Sequence, residues 1–272
     1  MTGPQPATAY THGHQESVLR SHRSRTAADS AAYLVPRLRP GQALLDVGCG
    51  PGTITADLAE LVGPTGRVVA VDTSAEVLEA AARHAAGRGL SNVVFEVADA
   101  HGLPYADGEF DVVHAHQVLQ HVGDPVAVLR EMRRVTAPGG VVAARDVDYA
   151  SMTWYPEVPE LDRWLDLYRR IARANGGEPD AGRRLLSWAR EAGFAEVTAS
   201  SSNWTFATPE RREWWGGLWA DRTVDSSTAG TAVAEGLADR AELERIAGGW
   251  REWVKAEDGW FAMLHGEVLA RG

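Results

Sequence analysis

Residues 44–55 read LLDVGCGPGTIT. Gly48, Gly50 and Gly52 fall on alternate positions between an apolar run and an apolar-periodic segment. Glycine adopts backbone conformations closed to other residues and lets a ligand approach the main chain. A helix starting there points free N–H groups at whatever sits in the turn. Two ligand classes use such a turn. A dinucleotide site asks for G-x-G-x-x-G, with pyrophosphate on the helix N-terminus. Here the third glycine comes one residue early. Asp46 also stands two residues before Gly48. Its carboxylate would repel pyrophosphate and suits a cationic ligand with amine donors.

Candidate bases are histidines and acids near strand ends: His116, His121, Asp146 and Asp148, with Tyr149 next in the chain. His12, His14 and His22 belong to an N-terminal stretch that can fold over a site as a lid. His114 and His116 have the spacing of two imidazoles on one strand face. No further ligands stand nearby, so a structural or cofactor-lining role outweighs metal binding. His121 has a competing role as a partner for a backbone carbonyl. Cys49 lies inside the glycine turn, where a small filler fits better than a nucleophile.

The elements that must position these residues alternate along the chain. Strands are expected at 43–47, 67–72, 92–97, 110–115 and 141–147. A helix is expected over 53–62. Thr73 and Glu76 have capping-box spacing for another, running through Ala86. Asp124-Pro125 opens a third. Strand–helix alternation of this kind makes a parallel sheet with right-handed crossovers, whose ligands bind at the carboxyl ends of the strands. Further helices are expected at 159–175, 180–194, 209–224 and 238–257, and closing strands at 195–206 and 259–271. All ten tryptophans follow the fifth strand. Most are expected to fill helix packing, and some to line a pocket for a ring-containing substrate.

Composition narrows the class. A formal charge of −10 argues against nucleic acid and against an anionic membrane surface. One cysteine excludes intrachain disulfides and fits a reducing cytoplasm. The N-terminus lacks the apolar stretch of a signal peptide, and no run of about eighteen apolar residues spans a membrane.

LLDVGCGPGTIT resembles the first signature of the class I S-adenosylmethionine-dependent methyltransferases. The landmarks over residues 40–150 follow that family's order. The segment HQVLQHVGDPVAVLREMRRVTAPGG resembles the ubiquinone/menaquinone-biosynthesis-type members. The segment YTHGHQESVLRSHRSRTAADSAAYLVPRL is similar to fungal and actinobacterial methyltransferases of mostly unassigned substrate. The resemblance implies S-adenosylmethionine as cofactor and no metal. It places Asp46, Gly48, Cys49 and Gly50 in the cofactor turn. Asp72, with Thr73 beside it, would take both ribose hydroxyls. Ala98, Asp99 and Ala100 would hold the adenine, and His116 and Gln117 would lie beside the methionine part. Among Arg20, Arg23 and Arg25, Arg25 is best placed to pair with the methionine carboxylate.

The expected fold is a doubly wound, seven-stranded, mostly parallel Rossmann-like sheet with a helical cap. Residues 1–39 would form an N-terminal cap or lid, 40–150 the cofactor core, and 151–272 the remaining core elements plus Trp-rich substrate-side helices. The expected function is methyl transfer to O, N or C of a ring-containing metabolite by in-line displacement, with proximity as the main effect. His121, His116 and Asp146 are the catalytic candidates. Alternatives are a quinone-pathway C-methyltransferase, a cofactor-binding cyclase or rearrangement enzyme, and a non-catalytic cofactor-binding subunit. A nicotinamide oxidoreductase is disfavoured by the glycine spacing and Asp46. The expected partner is a small molecule, with a homodimer left open.

Overall fold

The computed structural model describes residues 24–272. Five apolar runs make the parallel part of one sheet: β1 (Ala43–Val47), β2 (Arg67–Asp72), β3 (Val93–Val97), β4 (Phe110–His116) and β5 (Thr136–Val147). They pair in the order β3-β2-β1-β4-β5. β1 is covered on both faces, which is why its apolar run does not alternate with polar residues. Helices α2 (Thr53–Val62), α3 (Ala75–Gly87) and α4 (Pro125–Val135) carry the crossovers. A short helix, α1 (Ala27–Ser30), precedes them. The Ala27 N–H donates to Asp57 of α2 at 2.7 Å, which docks the N-terminal segment on the core.

β8 (Trp260–Arg271) runs antiparallel beside β5 and pairs on its other edge with β7 (Glu196–Phe206). An eighth strand, β6 (Thr153–Tyr155), continues the line of β5 by pairing with residues 260–262 of β8. The sheet therefore has one strand more than expected, because three residues are too few to show a period. Two further expectations shift. Ser74, not Thr73, caps α3, its Oγ accepting from the Val77 N–H at 3.3 Å. The expected helix at 180–194 divides into a 3-10 turn (Ala181–Arg184) and α6 (Leu185–Glu191).

One face of the sheet packs on α1 and α2, the other on α4 and α6. A third cluster lies under α5 (Pro159–Ala174), α7 (Pro209–Val224), α8 (Ser227–Ala234) and α9 (Arg240–Lys255). It holds Trp164, Trp215, Trp219, Trp250 and Trp253 around Phe261 of β8, so these five indoles pack the cluster, and Trp164 and Trp219 also line an apolar cavity with Tyr168 and Leu243. Among the described residues no helix is long and apolar enough to cross a membrane.

Candidate cofactor and acceptor site

β1 ends in the glycine turn. Gly48, Gly50 and Gly52 all have positive φ, at 67°, 54° and 75°. They differ in what a side chain would meet. A Cβ at Gly48 would lie 2.4 Å from Val118 Cγ2, and one at Gly52 2.8 Å from Ala81 Cβ. One at Gly50 would meet nothing within 4 Å. Gly48 and Gly52 thus allow close packing, while Gly50 borders open space.

Asp72 braces the turn from the end of β2. Its two oxygens accept the N–H groups of Gly50 and Ser74, each at 3.1 Å. Each oxygen retains capacity for another donor. Thr73 is exposed beside it. The Ala98 N–H donates to the Asp72 carbonyl at 3.2 Å, which brings the end of β3 alongside. Asp99 there is 70 % exposed at its side chain. Its Oδ1 accepts from the His101 N–H at 2.9 Å and meets the His101 ring at 2.8 Å. These bonds hold its carboxyl below the usual range. Ala98 and Ala100 flank it, half-buried.

Asp46 takes a different place from the one expected. It is 3 % exposed and lies beneath the turn. Its oxygens are engaged by His114 Nδ1 at 2.7 Å and the Thr55 hydroxyl at 2.6 Å. It ties β1 to β4 and α2. Burial pushes the Cys49 thiol up, helped by the Asp46 and Asp72 carboxylates, so it stays protonated.

At the end of β4, Gln117 is the one described non-glycine residue with positive φ, at 54°. Its amide sits in a relay. Arg25 donates to Gln117 Oε1 at 2.7 Å, and Gln117 Nε2 donates to His265 Nε2 at 2.9 Å. His265 Nδ1 then donates to the Met263 carbonyl at 3.2 Å. That chain assigns the His265 proton to Nδ1. His116 is buried, and neither ring nitrogen has a hydrogen-bond partner among the described residues. Burial, then Arg145 and Arg25, hold it well below the usual imidazole range. His121 Nε2 accepts from the Gln120 amide at 2.9 Å, and burial draws its pKa to about 3.

Asp146 is fully buried, and its Oδ1 accepts the Gln120 N–H at 3.1 Å. Its Oδ2 has no partner among the described residues, and burial pushes the carboxyl up to about 7. Asp148 is committed to Arg183 through two bonds, at 2.6 and 2.7 Å. Tyr149 stacks on Tyr168. His12, His14, His22, Arg20 and Arg23 lie outside the described residues.

A family model described as a methyltransferase domain matches residues 38–193. The chain belongs to the methyltransferase-domain family. An uncharacterized methyltransferase of Schizosaccharomyces pombe is 33 % identical over 99 % of this chain and 98 % of its own length. A probable methyltransferase of Aspergillus luteorubrus, ltbC, is 30 % identical over 96 % of each chain. Among solved structures, the [4+2]-cyclase SpnF shares the fold, with a TM-score of 0.52 and 24 % identity over 97 % of this chain and 89 % of its own. The resemblance carried by Gly48–Gly52 therefore holds for family, Rossmann-like fold and S-adenosylmethionine as cofactor. The methyltransferase turn fits that group on two counts: the open space at Gly50 and the spare acceptor capacity of Asp72.

Sequence reasoning passed over four residues that crowd this end of the methyltransferase sheet: Tyr33, Arg145, His265 and Glu267. Arg145 carries a signal, a charge inside the apolar run VVAARDV. It is 1 % exposed. The other three have none, because only the pairing of β8 with β5 and the docking of residues 24–38 bring them here.

Proposed function

We propose that this protein transfers a methyl group from S-adenosylmethionine to an oxygen, nitrogen or carbon of a ring-containing small molecule. The observation that carries the reading is a juxtaposition at the carboxyl ends of the neighbouring strands β1 and β4. The Gly48–Gly52 turn with Asp72 lies beside His116, a buried imidazole with both nitrogens unbonded among the described residues.

In this reading Asp72 takes the vicinal ribose hydroxyls, two acceptor oxygens for two donors. Asp99, between Ala98 and Ala100, accepts from the adenine amine. Gly48 and Gly50, with Thr73 at the rim, line the main-chain side. Gln117 and Arg25 meet the methionine part. Asp46 and Cys49 act from behind the turn as supports. When bound, the cofactor supplies an electrophilic methyl carbon that accepts a lone pair while the carbon–sulfur pair stays on sulfur.

The protein then has to align an acceptor, which can supply about 7–11 kcal/mol, and to take a proton where one is released. His116 is the base candidate the geometry favours, since it is neutral and unbonded. His121 is occupied by Gln120. Asp146 points to the opposite sheet face from Arg145, because strand side chains alternate. Its bond to the Gln120 N–H makes it a positioning residue for the turn after β4.

The test is incubation of the full chain with methyl-labelled S-adenosylmethionine and a set of phenols, quinols and ring amines. Label in an acceptor, matched by S-adenosylhomocysteine, supports the reading. A rearranged acceptor without S-adenosylhomocysteine supports the ring-closing alternative and overturns methyl transfer. Failure to bind S-adenosylhomocysteine by calorimetry overturns the cofactor assignment.

A further inference from the structure

Four side chains on one face of the sheet leave buried polar atoms without a hydrogen-bond partner among the described residues: Arg145 Nη1, the Tyr33 hydroxyl, both nitrogens of His116 and His114 Nε2. An unpaired buried polar atom is costly, so a cluster of them marks a place completed by something else. Strand alternation puts His116 of β4, Arg145 of β5 and Glu267 of β8 on the same face, in register. Tyr33 comes from the N-terminal segment packed over that face, and its charged neighbours are Arg145, then Glu267, Asp146 and Asp46.

The guanidinium of Arg145 is divided in its use. Its Nε lies 3.3 Å from Glu267 Oε1, and Nε and Nη2 donate to the Ser202 hydroxyl at 3.2 and 3.1 Å. Nη1, on the other branch, is left over. Glu267 is turned toward β7, where Ser200 and Ser202 donate to its two oxygens. Arg25 and Arg145 both stand over the Trp204 ring, at 5.6 and 4.9 Å from its centroid. The Arg145 and Arg25 guanidiniums are the charges that His116 feels most, while the carboxylates felt by Tyr33 or Arg145 are Glu267, Asp146, Asp46 and Asp29. The nearby Asp46 carboxylate is hydrogen-bonded to His114 and Thr55, and burial holds His265 well below the usual imidazole range. The spare groups include two donors, Arg145 Nη1 and the Tyr33 O–H.

We propose that Arg145 Nη1 and the Tyr33 hydroxyl form an oxyanion-binding pair for an ionised hydroxyl of the acceptor, a phenolate or enolate oxygen, against the His116 ring. This rests on the methyl-transfer reading above. Charge-assisted bonds of this kind are about twice as strong as neutral ones, and a buried guanidinium gains most from them. The pair also answers a difficulty in that reading. A strongly depressed imidazole is a weak base, and an acceptor bound as its anion needs no stronger one.

The experiment uses the full chain saturated with S-adenosylhomocysteine and two probes, 4-nitrophenol and its methyl ether 4-nitroanisole. The phenolate absorbs near the violet edge, so its ionisation is read directly as the pH is varied. We expect 4-nitrophenol to bind as the anion, with its apparent pKa lowered by about one unit or more and about tenfold preference over the ether. Tyr33→Phe removes only an oxygen with no partner, so it should fold normally, keep S-adenosylhomocysteine affinity, and lose most of that preference. Arg145→Lys keeps the charge but not the fork and should lose part of it; if it fails to fold, Tyr33→Phe decides. An unshifted ionisation, equal binding of the ether, no binding of either probe, or a Tyr33→Phe protein with full preference overturns the proposal. Intact S-adenosylhomocysteine binding in that case leaves the methyl-transfer reading standing. Its loss in the parent protein sinks that reading instead.

Discussion

At the scale of single residues, the three glycines of the turn do different jobs. A methyl at Gly52 meets Ala81 Cβ at 2.8 Å, whereas one at Gly50 meets nothing. Gly52→Ala should lower stability by about 1–3 kcal/mol through overpacking and left-handed strain, read by urea denaturation. Gly50→Ala should cost about 1–2 kcal/mol through strain alone, and calorimetry should show it binding S-adenosylhomocysteine more weakly. Asp72→Ala should weaken the same binding by about 1.5–3 kcal/mol, as for a lost hydrogen bond to a charged group. An Asp72→Ala protein with parental affinity would remove Asp72 from the site. Asp146 is a residue for pH. An acid raised in the fold to about 7 binds its proton more tightly there than in the unfolded chain. Its contribution is complete below about pH 4 and is lost as the pH rises to about 7. Asp146→Asn should therefore match the parent near pH 4 and become more stable than it by up to about 4 kcal/mol at pH 8. A constant difference across that range would refute the burial argument.

At the scale of elements, the N-terminal segment packs over the glycine-turn face of the sheet, and the aromatic cluster holds the cap together. Residues 24–38 are held over the core by bonds that include Arg25 to Gln117, Ala27 to Asp57 of α2, and Trp204 to the Asp29 carbonyl at 3.1 Å. Such a strap can exclude water from the acceptor space while still being released locally. The cap is packed by indoles and also tied by ion pairs such as Arg163 to Glu242, between α5 and α9. Trp250 and Trp253 are fully buried, and Trp164 meets Trp219 and Trp250 edge-on at 4.5 and 4.8 Å. Trp250→Ala should cost about 3–5 kcal/mol by chemical denaturation. Its S-adenosylhomocysteine affinity should stay parental, because the cluster touches none of Gly50, Asp72 or Asp99. A loss of affinity in the folded variant would show that the cap positions the cofactor turn.

At the scale of the whole molecule, β8 joins the parts. It pairs with β5 of the core, with β6, and with all of β7, and its Phe261 lies in the aromatic cluster. Cap and core should therefore melt in one transition, and S-adenosylhomocysteine at about 100 times its Kd should stabilise that single transition by about 2.7 kcal/mol. Two separated transitions by calorimetry would contradict the tie through β8. The sequence by itself determined the local features: the glycine turn, the buried strands β1, β2, β4 and β5, the Asp124–Pro125 helix start, and the order of Asp46, Asp72 and Asp99. Each is written in a few adjacent residues, through backbone freedom, apolar runs and caps. From that order the family and cofactor were legible. The sequence did not show that Asp46 turns inward to His114, since that pair spans two strands. It did not show β6, too short for a period. The meeting of Tyr33, Arg145, His265 and Glu267 was also invisible, because long-range strand register and the docked N-terminal segment decide it. Tertiary pairing alone converts four scattered side chains into one polar surface beside His116.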